Sequence, residues 1–190
     1  MIAADRVNIG TFYAQHYSSS TFYRSTDGGM TWTGRSFATY SGGYNSRLRA
    51  APGHAGHVWY TDGPCGHNPP PHPGAFFYFS ADGGKTWTTI SKSKYKSKGY
   101  ANDVLEVFDF GFGAPKGGTY TYPSIWIAGW VDRVWGIYLS YDQAQSWHLV
   151  DQYANDNPDM INVVCGDLLH YGRVYIGFSG TGFAYGDFPL

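Results

Sequence analysis

At 190 residues, with 43% hydrophobic and 19% aromatic side chains, the chain is long enough to bury a core. Its 26 glycines against only 14% charged residues favour short strands joined by tight turns. A formal net charge of -1 supplies no basic footprint for nucleic acid, no apolar run reaches membrane-crossing length, and no segment holds a 3.6-residue apolar period.

In chain order, Met1-Ile2-Ala3-Ala4 runs straight into Asp5 and Arg6, so no signal-peptide segment is expected in this chain. A first strand is predicted over 11–15, followed by a turn over 16–20 and an aromatic strand, Thr21-Phe22-Tyr23-Arg24. That strand leads into Ser25-Thr26-Asp27-Gly28-Gly29-Met30-Thr31-Trp32. The sequence then repeats the arrangement. A strand over 57–61, a turn over 62–74 and Phe76-Phe77-Tyr78-Phe79 precede Ser80-Ala81-Asp82-Gly83-Gly84-Lys85-Thr86-Trp87. A third round has a strand over 124–131, a turn at 132–134, Ile137-Tyr138-Leu139, and then Ser140-Tyr141-Asp142-Gln143-Ala144-Gln145-Ser146-Trp147. Between the second and third rounds Lys92, Lys94, Lys96 and Lys98 alternate, which reads as a solvated loop or edge strand.

The three octapeptides begin 55 and 60 residues apart, a period at the long end for propeller blades. Their chemistry is that of a hairpin turn. Asp and Ser oxygens accept turn N–H groups, Gly supplies backbone angles that other residues resist, and Trp opens the next strand. This is the Asp-box, or BNR repeat, with Ser25, Asp27, Gly29, Thr31 and Trp32 in the first copy. Ser80, Asp82, Gly84, Thr86 and Trp87 form the second, and Ser140, Asp142 and Trp147 mark the third. These aspartates are expected to stabilise turns and to take no part in acid–base chemistry. The predicted fold is all-β: one partial β-propeller segment over 1–190, with three to four four-stranded antiparallel blades. Successive hairpins of a blade point to opposite faces. The turns at 16–20, 62–74 and 132–134 therefore share the face opposite the boxes, where many propellers hold ligands.

Candidate site residues follow from that placement. Trp126, Trp130 and Trp135 offer flat rings of the kind that stack on the C–H face of a pyranose. Alternation puts Trp126 and Trp130 on one side of their strand, with blade packing the competing role. Asp132 and Arg133 can hydrogen-bond sugar hydroxyls or pair with each other. His67 and His72 lie with Cys65 in a proline-rich loop expected on the ligand face. Cys and His suit zinc or copper, but the spacing fits no firm metal motif, so neither a metal nor a cofactor is expected. Cys65 and Cys165 are too few to define a disulfide framework. No Gly-x-Ser-x-Gly elbow occurs, and Gly111-Phe112-Gly113 lacks a phosphate-loop continuation.

Longer stretches carry a more specific resemblance. Ala3-Ala4-Asp5-Arg6-Val7-Asn8, Phe112-Gly113-Ala114-Pro115 and Tyr122-Pro123-Ser124-Ile125-Trp126 are similar to segments of glycoside hydrolase family 74. So is the closing run: Cys165-Gly166-Asp167, Tyr171-Gly172-Arg173-Val174-Tyr175-Ile176-Gly177, Gly180-Thr181-Gly182-Phe183 and Tyr185-Gly186-Asp187. The resemblance implies the later blades of the second of two propellers that face each other across a cleft. Enzymes of the family cut β-1,4-glucan backbones, chiefly xyloglucan, with two aspartates as acid and base. Those aspartates lie in Asp-Ile-Gly-Gly or Asp-Val-Gly-Gly contexts, which are absent here, so the resemblance carries over no catalytic residue. It implies contact with a β-glucan or xyloglucan-type polysaccharide and an extracellular location; the net charge and the lack of a long apolar run lead to the expectation of no nucleic-acid or membrane partner. The resemblance also implies completion by further blades, in the same or another chain or by self-association. Departures are Ala144 in place of a box glycine, Phe178-Ser179-Gly180 near the end, and the 64–74 loop.

Overall fold

A computed structural model describes residues 1–16, 20–37, 46–63, 77–90, 105–152 and 159–188. The described residues form two compact units, 1–106 and 107–190. Each is built from antiparallel meanders in which sequence neighbours pair.

The first unit holds two sheets. β1 (Ile2–Ala4), β2 (Phe12–Gln15), β3 (Thr21–Ser25) and β4 (Thr33–Ser36) pair in chain order. β5 (Arg47–Ala50), β6 (Val58–Thr61), β7 (Phe77–Ser80) and β8 (Thr88–Thr89) do the same. Side chains alternate across a strand, so each sheet offers one face to its neighbour. Tyr13 and Phe22 of the first sheet, with Phe37 just past β4, pack against Leu48, Ala50, Val58, Tyr60 and Tyr78 of the second. Trp87 joins them, stacked on Phe37 at 4.2 Å and edge-on to Phe22 at 5.1 Å between ring centroids. Burying a ring such as Phe22 stabilises by about 1.5–3 kcal/mol, so this seam holds the two sheets together.

The second unit takes in nearly all of β9 (Leu105–Gly113), then β10 (Ser124–Val131), β11 (Val134–Ser140) and β12 (His148–Asp151) as one sheet. β13 (Ile161–Gly166), β14 (Arg173–Phe178) and β15 (Phe183–Asp187) form a three-stranded sheet. Trp126, Ala128, Ile137 and Leu139 pack on Ile161, Val164, Val174 and Ile176. The sheets come close enough that a Cβ on Gly166 would meet the Trp126 ring at 2.5 Å, and one on Gly113 would meet Trp126 Nε1 at 2.9 Å. Glycine is therefore required at both positions. The Val164 N–H donates to the buried Asp109 carboxylate at 2.6 Å, fixing the register of β13.

This is the fold class read from the sequence: all-β, with three four-stranded sheets and one of three strands, none closed on itself among the described residues. Cys65, His67 and His72, most of the 62–74 turn, and Lys92, Lys94, Lys96 and Lys98 lie outside the described residues.

Candidate functional site

The three octapeptides share one hydrogen-bond arrangement. In the first, the Ser25 hydroxyl donates to Asp27 Oδ1 at 2.8 Å and accepts the Gly29 N–H at 2.9 Å. Asp27 accepts the Thr31 N–H at 2.9 Å and the Thr31 hydroxyl. In the second, Ser80 donates to Asp82 at 2.9 Å and accepts from Gly84 at 2.8 Å, while Asp82 accepts from Lys85 and Thr86. In the third, Ser140, Asp142, Ala144, Gln145 and Ser146 take the same parts. The Thr31 hydroxyl and N–H, then Ser25, hold the Asp27 carboxyl down to about 2. Partial burial works upward at Asp82, but the Thr86, Ser80 and Lys85 donors outweigh it and leave that group at about 2 as well. Carboxylates held this low stay ionised at neutral pH, so none of them stores a proton for general acid work there.

The opposite end of the third sheet carries the other candidates. β10 and β11 meet in a two-residue turn, with Asp132 at φ 50° and Arg133 at φ 65°. Two positive φ values in succession mark a type I′ hairpin, whose twist matches that of the strands. The turn exposes both side chains and sets Trp130 directly opposite Trp135, with ring centroids 5.5 Å apart. Trp130 is only 5% exposed, whereas Trp135 is half-buried and edge-on to Phe108 at 6.1 Å. Trp126 is fully buried in the seam between the two sheets of its unit. The structure thus brings Trp130, Trp135, Asp132 and Arg133 together at one hairpin end. Among the described residues, no group of three or more His, Cys, Asp or Glu side chains is placed to hold a metal.

Sequence reasoning missed a second class of carboxylate. Asp5 Oδ1 accepts the Val7 and Asn8 N–H groups, both at 2.8 Å. Its Oδ2 takes the Tyr13 hydroxyl at 2.6 Å and, from the neighbouring sheet, the Gly56 N–H at 2.9 Å. Asp167 repeats this in the β13–β14 turn, accepting from Leu169 at 2.8 Å, His170 at 3.1 Å and the Tyr175 hydroxyl at 2.9 Å. The sequence trace is Asp, Gly five residues on and Tyr three further: Asp5, Gly10, Tyr13 and Asp167, Gly172, Tyr175.

Four antiparallel meanders, three of them closing on the same Ser–Asp hairpin, define a protein of β-propeller blades. Across 187 residues, or 98% of this chain, it is 32% identical to a xyloglucanase of Acetivibrio thermocellus, covering 19% of that protein. It is also 32% identical over 194 residues to a probable oligoxyloglucan-reducing end-specific xyloglucanase of Neosartorya fischeri, covering 21% of it. The solved family 74 enzyme of Niastella koreensis superposes with a TM-score of 0.73 at 28% identity, covering 97% of this chain and 24% of that one. The family 74 xyloglucanase of Xanthomonas campestris gives 0.70 at 24% identity over 100% and 24%, a likeness of fold. No family model matches the chain. The chain is related to the xyloglucanase-type enzymes of glycoside hydrolase family 74, and it spans about a fifth of the length of those curated relatives.

Proposed function

We propose that this chain is a blade segment of a carbohydrate-active, family 74-type protein, that it contacts a xyloglucan-type β-glucan, and that it does not cut glycan by itself. The observation that carries the reading is the match over 98% of the chain to proteins named as xyloglucanases. The β10–β11 hairpin supplies suitable chemistry. The partly open Trp135 ring is the sugar-stacking surface, Trp130 beneath it fixes its tilt, and Asp132 and Arg133 meet hydroxyl groups at the rim. The catalytic Asp-Ile/Val-Gly-Gly contexts are absent from the sequence, and the three box carboxylates are committed to turn donors. The Asp-boxes are structural in this reading, and the setting is extracellular, where such polysaccharides occur.

Affinity electrophoresis in xyloglucan-containing gels tests the contact. The chain should be retarded, and Trp135→Ala or Arg133→Ala should weaken retardation several-fold without loss of folding. Reducing ends counted after incubation with xyloglucan or mixed-linkage glucan should not exceed a heat-killed control. Release above it ends the non-catalytic reading. A blade reused for assembly, with no glycan role, is the second reading. The deep burial of Trp130 favours it, and an absence of retardation would select it.

A further inference from the structure

The Asp5 and Asp167 turns are superposable in their bonding but not in their surroundings. In both, the Asp N–H donates to a residue six further on, Thr11 or Arg173. That residue's N–H returns to Asn8 or His170, and a positive-φ glycine immediately precedes it, Gly10 or Gly172. Tyr13 therefore corresponds to Tyr175. Strand register extends the match, because Gln15 faces Phe22 as Gly177 faces Phe183, and Tyr13 faces Arg24 as Tyr175 faces Tyr185.

The matched residues differ in exposure. Phe22 is 1% exposed because the second Asp-box lies over it, and a Cβ on Gly84 would overlap its ring. Its counterpart Phe183 is 81% exposed. Tyr175, Tyr185 and Val163 lie on the same open face of the β13–β15 sheet. Asp5 Oδ2 receives the Gly56 N–H from the neighbouring sheet, whereas the Asp167 carboxylate takes Leu169, His170 and Tyr175 from its own sheet.

The surface that would fit is also present on this chain. The β5–β8 face that covers Phe22 consists of Leu48, Tyr60 and Tyr78 in one cross-strand row and Ala50, Val58 and Ser80 in the next. The outer face of the first sheet has the same rows: Ile2, Ala14 and Tyr23, then Ala4, Phe12 and Ser25. Ile2 is 65% exposed there. Gly10 matches Gly56 in bonding, since its carbonyl accepts from Gly28 as that of Gly56 accepts from Gly83. Gly29 and Trp32 match Gly84 and Trp87, yet Trp32 is 38% exposed where Trp87 packs into a core.

We infer that the β13–β15 face of one copy docks head-to-tail on the outer β1–β4 face of a second copy. Phe183 slides beneath Gly29 beside Trp32, and the Gly10 N–H of the second copy completes the bonding of Asp167. The contact is heterologous, so each copy keeps one unused face and wild type grows past a dimer into rings or short filaments. The occupant is chosen because the chain itself carries both complementary halves of a contact already seen between its first two sheets.

Two single-face variants of the full chain test this. Phe183→Glu blocks one face and Ile2→Glu blocks the other, both at exposed positions where folding should persist. In sedimentation velocity, wild type should show concentration-dependent species larger than a dimer at tens of micromolar or below. Each variant alone should be monomeric, and an equimolar mixture should stop at a 1:1 dimer through the one intact pair of faces. Asp167→Asn, which keeps the side-chain shape, should weaken wild-type association about tenfold, equivalent to roughly 1.4 kcal/mol. Monomeric wild type, variants that still self-associate, or a mixture that fails to pair would each overturn the inference.

Discussion

The second and third octapeptide turns adopt the same backbone with different residues at its two left-handed positions. Gly83 and Gly84 occupy the left-handed region at φ 72° and 82°, while the third box puts Gln143 and Ala144 there, at 60° and 61°. An L-residue in that region costs about 1–2 kcal/mol. The third box accepts that strain and keeps the Ser140–Asp142 bond together with the N–H bonds from Ala144, Gln145 and Ser146. The carboxylate and hydroxyl thus specify the turn, and glycine eases it without being required for it. What makes glycine obligatory in the second box is Phe22, whose ring lies where a side chain on Gly84 would go. In the first box a Cβ on Gly29 would find only Trp32, at 3.8 Å.

The sharpest way to break the comparison is Gly84→Ala. It adds left-handed strain and forces a methyl into a buried ring, so destabilisation of about 3 kcal/mol is expected in urea unfolding. Gly29→Ala, which within a single copy adds strain alone, should cost only about 1–2 kcal/mol. Equal losses at the two sites would show that Phe22 simply moves aside. Asp82→Ala removes the acceptor for Lys85, Thr86 and Ser80, and should cost about 1 kcal/mol because those donors can partly rehydrate. A stable Asp82→Ala protein that had lost glycan binding would contradict a purely structural box. Gln143→Gly should stabilise by about 0.5 kcal/mol, left-handed strain being relieved against a gain in unfolded-chain entropy.

Acid titration gives the smallest and most distributed effect. Asp27 and Asp82 sit near 2 in the folded chain, below the ordinary 3.8 of an aspartate. Groups lowered by folding stabilise fully above the unfolded value and lose that contribution as pH falls through the folded one. The unfolding midpoint should hold steady down to about pH 4 and drop between about 4 and 2. The Asp82→Ala variant should show a shallower drop, and an unchanged slope would place the acid sensitivity elsewhere.

The boxes were legible in the sequence because several residue types are fixed within eight positions, each by its own chemistry. The strand predicted over 124–131 is found as Ser124–Val131, while the turn expected at 132–134 is shorter by one residue, because Val134 already pairs with Val131. The Asp5 and Asp167 turns were written just as plainly but went unread. Most of their donors are backbone N–H groups, which leave no mark on residue identity, so only Asp, Gly and Tyr betray them. Alternation correctly set Trp126 and Trp130 on one face, but it carries no information about what covers that face. The burial of Trp130 followed from tertiary packing alone.

The indole of Trp126 has one more consequence. It is wholly enclosed, walled by Gly113 and Gly166, and its Nε1–H meets no acceptor among the described residues. Water can reach that proton only when the two sheets part. Its deuterium exchange should therefore be slow and should follow the free energy of that opening, making one proton a clock for the seam.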